Sequence, residues 1–207
     1  MGARQFNGLI LDFFGVLTSN MVEVTTQFVL REKLHPSAFL RAWSDPRGQE
    51  LYRKLELGEI DQMAWNTGFA PLIGADPDNL LERMCWDLYP AHEVLKVAKQ
   101  ARAAGVRTAV LSNSMGRQPY DPYAPYDLRG NFDEVLLSAE HGVRKPDPAI
   151  FRLVLERLGL AAEQCVFVDD SEENLQTAAD LGMTIVFSLD EREVAQRLRM
   201  LFGLPDL

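Results

Sequence analysis

The chain has 207 residues, of which 47% are apolar and 25% are charged, and its formal net charge is −9. This mixture is typical of a globular protein with a packed core and excludes a largely disordered chain. The acidic balance argues against binding to nucleic acid or to an anionic membrane, because both need a cationic face; an anionic substrate stays open, since a bound metal can dominate a small site.

Five short apolar runs, rich in Leu and β-branched residues, are too short for helices and predict strands. In chain order they are GLILDF (8–13), RTAVLS (107–112), DEVLLS (133–138), QCVFVDD (164–170) and TIVFS (184–188). Segments with a 3.6-residue apolar period predict helices at 91–105, 147–159, 171–182 and 190–203. This alternation predicts a doubly wound, parallel-sheet α/β core (Rossmann-like) with helices on both faces.

Residues 20–88 break the alternation, since they contain helix-like pieces and no convincing strand. We therefore predict an all-helical insert after the first strand, on a core made of residues 1–19 and 89–207. The three tryptophans of the chain all fall in the insert, and we interpret them as core anchors. Residues 115–131, with three prolines and three tyrosines, predict a long loop of the kind that is usually functional or mobile.

The sequence shows no targeting or membrane-spanning segment. Its first eight residues contain no apolar signal region, and no apolar stretch approaches the about 18 residues that a spanning helix needs. Cys85 and Cys165 lie in apolar contexts, which favours two buried thiols over a disulfide. We therefore expect a cytoplasmic protein.

Polar side chains follow four of the predicted strands at their carboxyl ends, where ligands bind to open parallel sheets. Asp12 follows the first strand, Ser112 the second, Lys145 lies in the loop after the third, and Asp169 and Asp170 follow the fourth. Asp12 can act as a nucleophile, and the three acids would repel one another unless a cation such as Mg²⁺ lay among them. With a lysine and a hydroxyl for phosphate oxygens, this is the set that phosphoryl transfer needs.

Four motifs, LILDFFGVL, VLSNS, RKPDPAIF and VFVDDSEEN, occur in this order. Through them the whole chain resembles the haloacid dehalogenase-like (HAD) superfamily of hydrolases. The resemblance implies that residues 20–88 are a helical cap. It also implies a Mg²⁺-dependent hydrolase, most simply a phosphatase acting on a small phosphorylated metabolite through an aspartyl-phosphate.

The same resemblance implies the roles of the reacting groups. Asp12 would attack phosphorus. Ser112 would bind the transferring group, with Asn113 beside it, and Lys145 would hold both the nucleophile and the phosphate.

It further implies a metal site. Asp170 would bind Mg²⁺ directly, together with Asp12 and the backbone carbonyl of Phe14, and Asp169 would support the metal directly or through water. Asn174, one helical turn further on, would buttress that loop.

The sequence departs from the family at Phe14. Most phosphatases of the family carry a second aspartate at this place, which protonates the leaving group and then activates water. Because a positioned acid–base group is worth about 10²–10⁴-fold in rate, the departure predicts a slow phosphatase, a good leaving group or a different acid. The candidates by residue type are Glu23, His35, Asp45, Glu59 and His141.

Two alternatives stay open. A 2-haloacid dehalogenase of the same superfamily attacks carbon without a metal and also lacks the second aspartate, which fits Phe14. Such enzymes replace the acids of the fourth motif, however, whereas Asp169 and Asp170 are both present, and two buried acids without a cation would be costly. The other alternative is a weakly active or inactive relative that binds a phosphorylated ligand or a protein partner.

Overall fold

The computed structural model describes residues 6–205, so the outermost parts of the predicted core, residues 1–5 and 206–207, lie outside the described residues. Within residues 6–205, five parallel strands form one sheet in the order β3-β2-β1-β4-β5. The strands are β1 (Gly8–Leu11), β2 (Arg107–Ser112), β3 (Glu134–Leu137), β4 (Cys165–Asp169) and β5 (Thr184–Phe187). Each lies within one predicted run, which confirms the doubly wound parallel fold.

Ten α-helices surround the sheet in this part of the chain. The first five are α1 (Met21–Arg31), α2 (Ala38–Ser44), α3 (Pro46–Glu56), α4 (Gln62–Ile73) and α5 (Leu80–Met84). The others are α6 (His92–Ala103), α7 (Leu128–Asn131), α8 (Pro148–Leu158), α9 (Glu172–Asp180) and α10 (Glu191–Phe202). The four periodic segments correspond to α6, α8, α9 and α10.

Strand β1 lies at the centre of the sheet, and its side chains alternate between two buried layers. Leu9 and Leu11 join an apolar cluster that includes residues of α6 and α10, whereas Ile10 joins a cluster that includes residues of α8 and α9. Both faces of the sheet are therefore covered, as a continuously apolar central strand requires. Cys85 and Cys165 are both buried and free, as predicted.

Between β1 and α6 the described chain is helical and contains no strand. We call residues 20–88 the helical segment. Its two ends meet at an antiparallel bridge between Thr18 and Pro90. The division into a core and a cap stays a prediction.

The tryptophans of the helical segment have three different environments. Trp65 is fully buried and stacks on Phe69 at 4.6 Å between ring centroids. Trp43 is half-buried, and Trp86 is 74% exposed. The interpretation as core anchors is therefore wrong for Trp86.

Residues 115–131 are less irregular than the sequence indicates, because they contain a 3₁₀ turn (Ala124–Tyr126) and the short helix α7. Across residues 6–205, every helix falls short of the length and apolarity that crossing a membrane requires.

Candidate active site

Asp12 stands directly after the central strand, at the edge of the sheet where the strands end. Its backbone N–H donates to the Val168 carbonyl (2.9 Å), which extends the pairing with β4 by one residue. Its Oδ1 accepts a hydrogen bond from the Phe13 N–H (2.7 Å) and lies 2.8 Å from Lys145 Nζ. Burial, together with the charges of Asp169 and Asp170, raises the pKa of Asp12 by more than Lys145 lowers it.

Lys145 is 1% exposed and bridges two carboxylates. Its Nζ lies 2.8 Å from Asp12 and 2.6 Å from Asp169. Burial lowers the pKa of Lys145, and the two carboxylates raise it by more. Asn113 fixes the lysine backbone through two hydrogen bonds, since its Oδ1 accepts from the Lys145 N–H (2.8 Å) and its Nδ2 donates to the Lys145 carbonyl (3.0 Å).

Asp169 ends β4 and is fully buried. Its Oδ1 accepts from the Ser171 N–H (2.9 Å) and from Asn174 Nδ2 (3.0 Å), and its Oδ2 accepts from Lys145. Asn174 thus contacts the loop after β4 through Asp169. The next acid, Asp170, is exposed at the rim of the site, and its partial desolvation against the neighbouring acids, together with the charge of Asp169, raises its pKa to about 6.

Asp12, Asp169 and Asp170 form a compact acidic cluster, in which one carboxylate oxygen of each lies within 4.8 Å of the others. Lys145 is the cation paired with this cluster, so two negative charges stay uncompensated when all three acids are ionised. A hard divalent cation with oxygen ligands fits this donor set and this charge. Because both oxygens of Asp169 already accept hydrogen bonds, Asp12 and Asp170 are the more open donors.

Gly15 allows the turn after β1 to approach Asp170 closely. Its φ is +77°, and a Cβ at this position would lie 2.1 Å from Asp170 Oδ2. A larger residue would therefore push Asp170 away from the acidic cluster.

Ser112 ends β2 and is fully buried. Its hydroxyl lies 3.4 Å from both the Tyr123 hydroxyl and the Asn113 carbonyl. Ser112 is not among the residues that line the cavity next to Asp12, so its contact with a phosphate stays a prediction, as does that of the Phe14 carbonyl with a metal.

A cavity of about 330 Å³ opens beside Asp12 and Asp170. The core contributes polar groups to its lining, among them Asn113 and Arg144. The helical segment contributes Met21, Trp43, Tyr52 and Glu56. The cavity thus joins an acidic end, at Asp12 and Asp170, to a largely apolar and aromatic wall.

Comparison with known proteins identifies this arrangement. A family model described as haloacid dehalogenase-like hydrolase matches residues 6–182. The chain belongs to the haloacid dehalogenase-like hydrolase family. The resemblance of its four motifs to this family of hydrolases is therefore confirmed.

Relatives and solved structures extend this HAD assignment. The chain is 41% identical to acyl-CoA dehydrogenase family member 10 of Mus musculus over 99% of its own length, but it spans only 20% of that protein. It is 29% identical to a sesquiterpene phosphatase of Aspergillus oryzae, with 96% of this chain and 97% of the relative covered. A HAD family enzyme of Bacteroides thetaiotaomicron, solved as a magnesium complex, shares the fold with a TM-score of 0.70 and 21% identity, covering 94% of this chain and 100% of that one.

Phe14 gives this HAD-like site an apolar wall at the place of the usual second aspartate. The ring is 8% exposed and lines the cavity. It packs edge-on against Phe13, at 4.9 Å between centroids, and lies 6.2 Å from the Tyr123 ring. No proton transfer can come from this side chain.

None of the five acid–base candidates chosen by residue type lines the cavity. Glu23 instead accepts hydrogen bonds from Tyr89, Asp45 pairs with Arg47, and Glu59 pairs with Arg53.

The residue that sequence analysis missed is Glu56. It lies at the end of α3, lines the cavity, and holds its Oε2 2.8 Å from Arg144 Nε. The side chain is 18% exposed, and burial raises its pKa by more than Arg144 and Lys145 lower it. The sequence around Glu56 contains no motif that would identify it as a site residue. The nearest feature is Gly58, which follows the end of α3 and has a φ of +70°.

Proposed function

We propose that this hydrolase is a Mg²⁺-dependent phosphatase that removes phosphate from a small phosphorylated metabolite through an aspartyl-phosphate on Asp12. The observation that carries the proposal is the cluster of three aspartates around one buried lysine. Its uncompensated charge fits a divalent cation, and it opens into a cavity of about 330 Å³. One phosphatase among its relatives, the sesquiterpene phosphatase of Aspergillus oryzae, is similar over nearly its whole length and supports the same reaction.

In the first step, the formation of the aspartyl-phosphate, Asp12, Lys145 and Asn113 have different roles. An oxygen of Asp12 attacks phosphorus, and the bond from phosphorus to the leaving oxygen breaks. Lys145 keeps Asp12 oriented and balances part of the phosphoryl charge, while Asn113 fixes the backbone of the lysine. Mg²⁺, held by Asp12 and Asp170 with support from Asp169, would supply further charge neutralisation of the phosphoryl oxygens.

We also propose that the helical segment acts as a cap over the core. Met21, Trp43 and Tyr52 would contact the leaving group and exclude water from Asp12. Their apolar and aromatic surfaces favour a leaving group with substantial apolar area over a small, highly charged one.

A phosphatase screen tests the proposal. The purified chain is incubated with a panel of phosphomonoesters, with Mg²⁺ or with EDTA, and inorganic phosphate is measured. We expect turnover that EDTA abolishes, and that the Asp12→Asn variant lacks while keeping the circular dichroism spectrum of the wild type. An active Asp12→Asn variant would overturn the nucleophile and with it the mechanism.

The absent carboxylate at Phe14 favours one second candidate, a metal-independent dehalogenase. Halide release from 2-haloacids is therefore measured in parallel. Release that is insensitive to EDTA, in a chain that hydrolyses no phosphomonoester, would favour carbon rather than phosphorus as the site of attack.

A further inference from the structure

The proposed phosphatase needs a proton donor that Phe14 cannot provide. An alcohol leaving group departs slowly as an alkoxide, and a positioned acid speeds that departure by about 10²–10⁴-fold. The donor must therefore come from another side chain that faces the cavity.

Besides Asp12, the acids and phenols that line the cavity in the described chain are Tyr52, Glu56, Asp170 and Glu173. Asp170 belongs to the acidic cluster, and Glu173 is an exposed residue in the first turn of α9, beside that cluster. Burial raises the pKa of Tyr52 well above its ordinary value, so its hydroxyl stays protonated and is a poor acceptor for a proton from water. Glu56 is the group that can both give and take a proton.

Glu56 is fixed in place by contacts between the helical segment and the core. Its backbone carbonyl accepts a hydrogen bond from the Ser138 hydroxyl, and Gly58 packs so closely that an added Cβ would lie 2.4 Å from the Ala139 carbonyl oxygen. Its Oε2 lies 2.8 Å from Arg144 Nε, in an ion pair without hydrogen-bond geometry. Among residues 6–205, neither side-chain oxygen of Glu56 accepts a hydrogen bond, which leaves the carboxyl group free to carry a proton in the cavity that it lines.

We propose that Glu56 is the acid–base residue of this site, an inference that rests on the proposed phosphatase function. As an oxygen of Asp12 bonds to phosphorus, Glu56 gives its proton to the leaving oxygen, which departs as an alcohol. The Glu56 carboxylate then takes a proton from water while the water oxygen bonds to phosphorus. The bond between phosphorus and Asp12 breaks, inorganic phosphate leaves, and both residues return to their starting states.

The charges around Glu56 agree with this role. Burial raises the pKa of Glu56, and Arg144 and Lys145 lower it by less, so its proton is held closer to neutral pH than that of an exposed glutamate. The other ionisable groups that face the same cavity are Asp12, Tyr52, Asp170 and Glu173. Arg144 lies 2.8 Å from one carboxylate oxygen, so its charge stabilises the ionised form that Glu56 reaches after it gives its proton.

Glu56→Gln separates the two steps when it is studied with Mg²⁺ and substrates that differ in leaving group. With p-nitrophenyl phosphate, whose leaving group needs no proton, we expect a burst of about one nitrophenol per active site at the wild-type rate, followed by a steady state that is about 10²–10⁴-fold slower. With glycerol phosphate, the departure of the alcohol and the attack of water should both slow by this factor, because both steps use the Glu56 proton. The wild-type kcat/KM on glycerol phosphate should fall as pH rises through the pKa of Glu56, and the variant should lose this limb.

Glu59→Gln is the matched control. Glu59 follows the same helix, is exposed, pairs with Arg53 at 2.9–3.0 Å, and does not line the cavity, so its variant should behave as the wild type. A rescue variant adds Phe14→Asp to Glu56→Gln, and recovery of glycerol phosphate turnover shows that only a proton shuttle was missing.

Two results would overturn the assignment of Glu56. One is a steady state on p-nitrophenyl phosphate that Glu56→Gln leaves unchanged. The other is an equal loss of burst and steady state on p-nitrophenyl phosphate together with an unchanged pH profile on glycerol phosphate, as a structural role would give. A wild-type chain that turns over no phosphomonoester in the presence of Mg²⁺ would instead overturn the proposed function, and the assignment with it.

Discussion

Lys145 combines full burial with contacts to two carboxylates, and it owes its position to Asn113. A buried cation of this kind is strongly dependent on its partners, because either side left alone is an uncompensated charge in a poorly solvated place. The three residues Asp12, Lys145 and Asp169 therefore form one unit, whose stability and chemistry cannot be altered separately.

Lys145→Met tests this unit. Removal of the ammonium leaves two carboxylates buried without a cation, so we expect the free energy of unfolding to fall by about 3–5 kcal/mol without Mg²⁺. Urea denaturation measures the change. Lys96→Met, at an exposed lysine 3.9 Å from Glu93, should change it by less than about 1 kcal/mol. Equal stabilities of the two variants would contradict the interpretation.

Gly15→Ala tests the close approach to Asp170. The new methyl group would meet Asp170 Oδ2, so we expect the affinity for Mg²⁺, measured by isothermal titration calorimetry, to fall at least about tenfold, since one carboxylate ligand is displaced. Gly74→Ala is the control, because its φ of +74° is nearly the same and nothing lies within 4 Å of its added Cβ. Both variants should lose about 1–2 kcal/mol from left-handed backbone strain. Equal Mg²⁺ affinities of the two variants would contradict this prediction, because they would show that displacement of Asp170 does not weaken metal binding.

The sequence predicted the convergence of the charged groups of the core, although Ser112, which was predicted with them, does not line the cavity. Asp12, Lys145, Asp169 and Asp170 follow the ends of parallel strands or lie in the loops after them, and strand order alone brings these ends to one edge. Glu56 could not be predicted, because its place depends on how the end of α3 packs against the turn that contains Ser138 and Ala139.

At the scale of elements, Gln62 joins α4 to the 115–131 loop. Its Nε2 donates to the carbonyls of Met115 (3.0 Å) and Tyr120 (2.8 Å), and its Oε1 accepts from the Tyr120 N–H (3.0 Å). The side chain is 1% exposed, so these backbone groups depend on it for their hydrogen bonds. One glutamine therefore ties the helical segment to the loop beside Asp12.

Gln62→Ala should lower the free energy of unfolding by about 2 kcal/mol, because one buried and two half-buried backbone groups lose their partner. The 115–131 loop should also be cleaved faster in limited proteolysis. Gln176→Ala, at an exposed residue of α9 that bonds Asp180, serves as the control and should leave both measurements unchanged. A proteolysis rate equal to that of the wild type would indicate that the loop holds its conformation without α4.

The elements themselves were predictable to different degrees. The strands were predicted within one or two residues, because short apolar runs without a helical period have few other interpretations. Helix α7 was missed, since Leu128–Asn131 is only four residues long and is preceded by prolines and tyrosines that indicate a loop. Trp86 was misassigned because helical spacing does not show which side of a short helix faces solvent.

For the molecule as a whole, the acidic cluster makes stability depend on pH and on metal together. The pKa of Asp170 is about 6 in the folded chain against an ordinary 3.8, so between these values the folded state holds a proton that the unfolded state has lost. This group therefore makes the cation-free chain less stable as pH rises from about 4 to 6. Above that range the ionised carboxylate is ready to bind Mg²⁺.

Thermal unfolding with and without Mg²⁺ checks this linkage. We expect Mg²⁺ to raise the Tm at about pH 7.5 and to have little effect at about pH 5, where Asp170 is mostly protonated. At a hundredfold excess over its Kd, the cation should contribute about 2.7 kcal/mol. Asp170→Asn should remove most of the difference between the two pH values. A shift of the same size at both would mean that another group controls binding.

The bridge between Thr18 and Pro90 has a consequence for the architecture of the gene product. Backbone hydrogen bonds of 2.9 Å join Ser19 to Tyr89 and Ala91 to Leu17. The chain therefore enters and leaves the helical segment through two neighbouring, hydrogen-bonded strands of backbone. Closing this gap with a short linker should involve little loop entropy. The helical segment between these bonds can therefore be shortened, lengthened or exchanged while the strand order stays the same. Such a change would replace the cavity wall and Glu56 together, and would leave Asp12, Lys145 and Asp169 in place on the core.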